Sequence, residues 1–283
     1  MEGRKLDPND REIAAMLTRL NIAPEPEPKP VVAPAPAPPT SLPKPVSIAP
    51  PLNAPAAPPA PPTPVVATAP STPADLAGRA LVRSLTDPEQ SAGQFNARNF
   101  PQEKQPAAVR RAYIEVQLQL LVSRAYGGHC GDLVQALETL GDEDSGLPFT
   151  LYGFTAFMKS AHFQYYMGIV ENSCGAEKAA KKRWSKISRS TEPPDSPDYA
   201  FPLLAANKLG ESDARTRINS ALAALSKTSA DDSKPDAAFA RGALLLATGN
   251  SGEGNAVLQK TAHSADPFVQ YLSLAVLRDA ARK

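Results

Sequence analysis

The sequence predicts an all-α fold, in which helices over residues 74–283 follow a long Pro/Ala-rich linker and a short N-terminal helix. Two observations support this prediction. From residue 74 onward, apolar residues recur at helical spacing, and no segment alternates apolar and polar residues as a strand would. Of the 31 prolines, 20 lie between Pro24 and Pro73, and this concentration separates a linker over residues 24–73 from the helical part.

Residues 1–23 are predicted to form one amphipathic helix. Asp7 and Pro8 are typical of a helix start. A single apolar stripe follows, formed by Ile13, Met16, Leu17 and Leu20. A helix of about 14 residues needs a packing partner in water. It therefore either docks on the distant helical domain or ends an upstream repeat, in which case Met1 is an internal start.

The linker over residues 24–73 is predicted to be disordered and biased towards polyproline II, because proline restricts its own backbone and that of the preceding residue. A ligand for SH3-type or WW-type domains would place a basic residue at a fixed distance from two prolines. Lys29 and Lys44 do not have that spacing. We therefore interpret the tract as a spacer.

Short polar or glycine-containing breaks divide the remaining chain into predicted helices. The stripe over residues 107–126 ends at Gly127-Gly128, and a long helix is predicted from about Thr155 to Asn172. Further helices are predicted over residues 133–140, 178–189, 199–208, 214–225, 236–248, 257–262 and 267–277.

These helices form pairs with a shared layout, which recurs at a spacing of about 34 residues. In two copies, the small and large positions resemble those of a tetratricopeptide repeat: Gly168, Gly175, Ala180, Trp184 and Pro193, then Gly242, Gly249, Ala262 and Pro267. The resemblance covers about half of residues 107–283. It implies an α-solenoid of antiparallel helix pairs with a groove for a protein or peptide partner; other α-solenoids are the structural alternative. The carboxylate clamp of some family members is not implied, because its positions hold Tyr165, Ile169, Phe239 and Ala243.

The composition sets limits on partners and compartment. The net charge of +1 gives no reason to expect a nucleic-acid partner. No segment approaches the roughly 18–20 apolar residues of a membrane helix. The first 30 residues lack the apolar region of a signal peptide, so the chain as written is expected to be cytoplasmic. If the native N-terminus is longer, a periplasmic or envelope location is the alternative. The two cysteines assign no redox compartment.

A Cys/His-dependent enzyme is one alternative function. His129 and Cys130 are adjacent, and Cys130 is the candidate nucleophile. However, neighbouring residues on a turn rarely point at a common atom, and a structural zinc site needs about four spaced ligands. Phosphate-binding, dinucleotide and nucleophile-elbow motifs are absent from the sequence. We therefore predict a non-enzymatic chain without cofactors.

Two groups of residues are candidates for binding a partner. His162, Tyr165 and Tyr166 lie on the inner helix of the best repeat, where the alternative interpretation is inter-helix core. Four cations at positions i, i+4, i+8 and i+11 form a basic stripe, whose alternative is the solvated face of a packed helix: Lys178, Lys182, Lys186 and Arg189. The sequence as a whole predicts an interaction scaffold or adaptor. The alternative is an envelope or secretion-associated assembly component that uses the proline-rich tract as a spacer.

Overall fold

The computed structural model describes residues 72–101, 104–140, 154–228 and 234–282, and these contain helices and no strand. The all-α prediction is confirmed for them. The predicted helix over residues 1–23 and the linker as far as residue 71 lie outside the described residues. In chain order the helices are α1 (Pro73–Arg83), α2 (Pro88–Gly93), α3 (Ala107–Tyr126), α4 (Leu133–Glu138), α5 (Phe154–Met158), α6 (Ala161–Ser173), α7 (Glu177–Ile187), α8 (Ala200–Leu209), α9 (Ala214–Thr228), α10 (Pro235–Ala247), α11 (Ser251–Thr261) and α12 (Pro267–Ala280).

Short turns join α6 to α7 and α10 to α11, and the two helices of each pair pack against each other. Gly175 lies in the turn between α6 and α7 with a φ of 81°, and Gly249 lies between α10 and α11 with a φ of 88°. Residues with a Cβ rarely adopt this left-handed conformation, so glycine allows the chain to reverse within a few residues. The turn glycines chosen from the sequence are thus explained by backbone geometry.

The helices pack in a regular order. Helices α3, α6, α8, α10 and α12 contact one another in succession. Helices α7, α9 and α11 each pack against the helix before them and the helix after them in the chain. Helix α1 contacts both α3 and α12, so the first and last described helices belong to one packed unit. Most residues of α6 and α10 are buried, whereas few of those of α7 and α11 are. We therefore call α3, α6, α8, α10 and α12 the inner helices, and α7, α9 and α11 the outer helices.

Glycines allow two of the pairs to pack closely. A Cβ added to Gly168 on α6 would lie 2.4 Å from Nε1 of Trp184 on α7. The Trp184 indole is buried, and its N–H donates to the main-chain oxygen of Tyr165 at 3.1 Å. In the α10/α11 pair, a Cβ on Gly242 would lie 2.8 Å from Cγ of Leu258. Small residues therefore let the large partner side chain fill the space between the helices.

The prediction of one long helix from about Thr155 to Asn172 is wrong, because this segment is divided into α5 and α6. Ser160 has extended backbone angles (φ −61°, ψ 151°), and its hydroxyl donates to the Phe157 oxygen at 2.6 Å. The Gln164 amide donates to the Met158 oxygen, also at 2.6 Å. These side chains satisfy carbonyls that an unbroken helix would have paired internally. The apolar periodicity continues across the break, so sequence alone did not reveal it.

A disulfide joins Cys130, in the connection between α3 and α4, to Cys174 at the end of α6. The two Cα atoms lie 5.2 Å apart, within the normal range for a disulfide. The hypothesis of a Cys130 thiol nucleophile is wrong for this structure, since the sulfur is already bonded. The separation of 44 residues along the chain concealed the pairing.

Candidate functional site

The aromatic residues predicted to line a groove on α6 lie in or beside the core. His162 is fully buried, Tyr166 is 2% exposed and Tyr165 is half-buried. The prediction that His162 and Tyr166 contact a partner is therefore wrong, because α3, α7 and α8 cover the helix that carries them. The alternative interpretation, inter-helix core, describes these two residues correctly.

His162 is held between two carboxylates from other parts of the fold. Its Nδ1 lies 2.7 Å from Oδ1 of Asp198, just before α8, and its Nε2 lies 2.6 Å from Oε1 of Glu115 on α3. The main-chain N–H of His162 also donates to Asp198, at 2.7 Å. This N–H is free to do so because the break at Ser160 places His162 in the first turn of α6. We call His162, Glu115 and Asp198 the ion cluster.

The ion cluster favours a protonated imidazole. Burial alone would lower the pKa of His162, but the charges of Glu115 and Asp198 outweigh it and raise the pKa to about 9. Burial would raise the pKa of Asp198, yet the imidazolium and its hydrogen bonds leave that pKa below the ordinary value. At neutral pH both ring nitrogens therefore donate, and the cluster is a buried charge network between α3, α6 and the segment before α8.

Aromatic rings surround the ion cluster. Phe268, on α12, packs edge-on against the His162 ring with centroids 5.1 Å apart, and Phe201, on α8, lies at 5.8 Å. The Arg111 guanidinium on α3 lies over the Phe268 ring, 3.5 Å from its centroid. Arg111 also helps to lower the pKa of Asp198. The charges thus sit where the inner helices converge, beside apolar groups that exclude water.

The arrangement around His162 is unsuited to general-base catalysis. The Ser160 hydroxyl lies 3.5 Å from Nε2, and with Asp198 at Nδ1 the three residues share the order of a Ser-His-Asp triad. However, Nε2 is already bonded to Glu115 at 2.6 Å, and a protonated ring has no lone pair to accept a proton. Among the described residues, no group of three or more His, Cys, Asp or Glu side chains is arranged to hold a metal ion.

A second buried network joins α3 to α12. The Gln119 amide, oriented so that its oxygen faces Arg278, accepts a hydrogen bond from Nη1 of that residue at 2.5 Å. The Tyr271 hydroxyl lies 3.5 Å from the same amide. Sequence reasoning missed this network and also missed Glu115 and Asp198. The available signal was a polar residue within an apolar stripe, since Glu115 stands between Ile114 and Val116.

The predicted basic stripe lies on the largely exposed helix α7 and its C-terminal turn. Lys178, Lys182, Lys186 and Arg189 are all exposed. Within the part of the chain that the structure describes, none of the four forms an ion pair or a side-chain hydrogen bond. The apolar side of the same helix is buried as predicted, through Ala180, Trp184 and Ile187.

The neighbouring cations on α7 are paired, in contrast to the stripe. Lys181 lies 3.6 Å from Glu177, four residues earlier. Arg183 donates to Glu171 on α6, with the closest atoms 2.5 Å apart, and also to the Gln164 oxygen at 2.6 Å. The unpaired charges are thus confined to one face of the helix, and that face points away from α6.

None of the helices described combines the length and the apolar character required to span a membrane. No protein-family model, curated protein or solved structure matches this chain.

Proposed function

We propose that this chain is a non-enzymatic protein-interaction scaffold built on a tetratricopeptide-like helical repeat. The observation that carries the proposal is the close contact of Gly168 with Trp184, repeated between Gly242 and Leu258 in a later pair. Each contact joins a small residue on an inner helix to a large one on the following outer helix. The alternating order of helix contacts from α6 to α12 supports the same repeat.

The binding surface of this scaffold lies on its outer helices. In a repeat domain with an open groove, side chains of the inner helices contact the partner. Here His162, Tyr166 and Phe201 on inner helices are buried against one another and against α12. Helices α7, α9 and α11 retain exposed polar faces on a framework held by core packing. Such a preformed surface binds with little loss of conformational entropy.

The groups best suited to chemistry are used for structure, which supports a non-enzymatic role. Cys130 is bonded to Cys174, so the thiolate needed for nucleophilic attack is not available. His162 donates from its ring nitrogens to the buried Glu115 and the partly buried Asp198. In each case the bond that removes reactivity also fastens two segments of the fold together.

Site-specific photo-crosslinking of the full chain in its native cells tests the proposal. A crosslinking amino acid is placed at one exposed position on each outer helix: Lys182, Asn219 and Ala256. The exposed Gln90 on α2 is the matched control. We expect a discrete protein adduct from at least one outer helix and none from Gln90. Failure of all three outer positions to give an adduct above the control would overturn the proposal.

The disulfide favours a second candidate function, an envelope or secretion-associated assembly component. Structural disulfides persist in oxidising compartments such as the periplasm and are rare in the cytosol. Alkylation of thiols in intact native cells, followed by a gel-shift assay, reports the state of Cys130 and Cys174. We expect both to be oxidised and the protein to fractionate with the envelope. Reduced thiols on the endogenous protein would contradict this candidate and favour a cytosolic scaffold.

A further inference from the structure

The basic stripe of Lys178, Lys182, Lys186 and Arg189 reduces the stability of the helix that carries it. Lys178 lies in the first turn of α7, where the positive end of the helix dipole disfavours a cation. Lys182 lies four residues from both Lys178 and Lys186, and like charges at this spacing repel on a helix. No carboxylate of the described residues forms an ion pair with the stripe that would offset the helix-dipole effect and the repulsion between the lysines. A partner of opposite charge would supply the missing stabilisation.

The spacing of the stripe fits a linear ligand. Successive lysines are about 6 Å apart along the helix axis, since each residue rises about 1.5 Å. In an extended peptide, side chains on one face are about 6.7 Å apart, because each residue rises about 3.3 Å and alternate residues share a face. Carboxylates at positions i, i+2 and i+4 of an extended segment therefore match Lys178, Lys182 and Lys186 in turn.

We propose that this stripe binds an extended acidic segment of a partner protein, with carboxylates at alternate positions facing the three lysines and Arg189 extending the contact at one end. The inference rests on the proposed interaction function and names the chemistry of the partner. Charge-assisted hydrogen bonds from the ammonium and guanidinium groups to carboxylates would supply the recognition.

Two other polyanions fit the stripe less well. Helices that bind a membrane surface combine basic residues with exposed large apolar side chains that enter the lipid. On α7 the large apolar residues Trp184 and Ile187 are buried in the core. Single-stranded nucleic acid is held by aromatic platforms as well as charge, and the one aromatic residue of α7 is this buried tryptophan. The face therefore offers charge alone, in a single row.

The test measures fluorescence anisotropy with the full chain and a dye-labelled synthetic peptide that carries glutamate at three alternate positions, separated by threonine. An isomeric peptide with the three glutamates in succession controls for spacing. Lys182→Glu removes the central cation of the stripe, whereas Lys234→Glu makes the same charge change at an exposed site immediately before α10. Anionic phospholipid vesicles, added to a separate sample, report membrane binding by co-sedimentation.

We expect the alternating peptide to bind more tightly than its isomer and to dissociate as salt screens the charges. Lys182→Glu should weaken binding by about tenfold or more, because attraction at the centre becomes repulsion, while Lys234→Glu changes it less than about twofold. Equal affinity of the wild type and the Lys182→Glu variant for the alternating peptide would overturn the proposal. So would equal affinity for the two peptides, or binding to the vesicles without binding to either peptide.

Photo-crosslinking distinguishes failure of this inference from failure of the proposed function. The crosslinker at Asn219 or Ala256 is combined with Lys182→Glu. An adduct whose yield is unaffected by Lys182→Glu would overturn the acidic-segment inference and leave the scaffold function intact. Absence of any outer-helix adduct in the wild type would instead overturn the scaffold function. We expect the wild-type adduct to form and to be lost in the variant.

Discussion

The ion cluster and the basic stripe are two groups of charged residues on adjacent helices, and their surroundings are opposite. In the ion cluster, His162 on α6 is fully buried and bonded to Glu115 and Asp198. On the stripe, the four cations of α7 and its C-terminal turn are exposed and form no ion pair with the described residues. The two helices that carry these groups pack against each other.

The difference shows how the environment of a charge determines its role. A buried charge requires a partner, because removing it from water costs several kcal/mol without one. Its partners come from distant parts of the chain, so the ion cluster fastens helices together. An exposed charge needs no partner to be tolerated. The stripe is therefore free to meet a ligand, and it contributes nothing to holding the fold together.

Removal of the histidine should have the largest effect on stability. His162→Ala leaves the buried Glu115 carboxylate and the partly buried Asp198 carboxylate without their shared cation. We expect the free energy of unfolding to fall by about 3–5 kcal/mol, the cost typical of a broken buried ion pair. Urea denaturation followed by circular dichroism measures it, with Lys182→Ala as the matched exposed control. A loss below about 1 kcal/mol would show that the ion cluster does not stabilise the fold.

Raising the pH should weaken the same contact without mutation. The folded-state pKa of His162, about 9, is above its ordinary value of 6.5. The contribution to stability is therefore complete below pH 6.5 and is lost as the pH rises through about 9. We expect the free energy of unfolding to decrease by up to about 3 kcal/mol across this pH range. Denaturation at both ends measures it, and Glu115→Gln should flatten the dependence. A profile shared by wild type and variant would contradict the raised pKa.

A methyl group added at position 168 should test the packing between α6, which carries His162, and α7, which carries the basic stripe. In Gly168→Ala the new Cβ would lie 2.4 Å from Nε1 of Trp184, whose indole is held by its bond to the Tyr165 oxygen. We expect the free energy of unfolding to fall by about 1–3 kcal/mol because of overpacking.

Thermal unfolding measures this loss against Gly252→Ala, a matched helical site where an added Cβ meets nothing within 4 Å. In that control the free energy of unfolding should rise by up to about 1 kcal/mol, because alanine favours the helix more than glycine does. If both variants gained stability, the close contact between α6 and α7 would not be the reason for glycine at position 168.

The smallest effect is expected on the stripe, and its sign is informative. Lys182→Glu replaces two repulsive pairs, with Lys178 and Lys186, by two attractive ones. We expect the free energy of unfolding to rise by about 0.3–1 kcal/mol at low salt. Chemical denaturation of the variant at low and high salt measures this gain and its screening. A substantial loss of stability would mean that Lys182 supports the fold, and the contrast between the two regions would disappear.

Local features of the fold were predictable from the sequence. The helical spacing of Ala180, Trp184 and Ile187 indicated their burial correctly, since a helix can bury only one face. Helix α3 was predicted over residues 107–126, and the structure gives the same bounds. The exposure of the stripe followed from the same argument, because its four cations occupy the opposite face. In each case neighbours within a few residues determine the outcome.

Contacts between distant residues were not predictable. The His162–Asp198 and His162–Glu115 contacts span 36 and 47 residues, and the Cys130–Cys174 bond spans 44. No local pattern records which distant side chain will arrive at a given place. For this reason neither the bonding of His162 to two carboxylates nor the bond of Cys130 to Cys174 follows from the local sequence.

The sequence by itself thus determined where helices form and which face of each is apolar, because both depend on backbone preferences and on side-chain periodicity over a few turns. Only the tertiary structure decided that α6 ends up surrounded, with its histidine charged and bonded, while the four cations of the basic stripe form no ion pair with the described residues. Burial, ion pairing and pKa depend on what the rest of the chain brings within a few ångströms, and that proximity arises only when the helices pack.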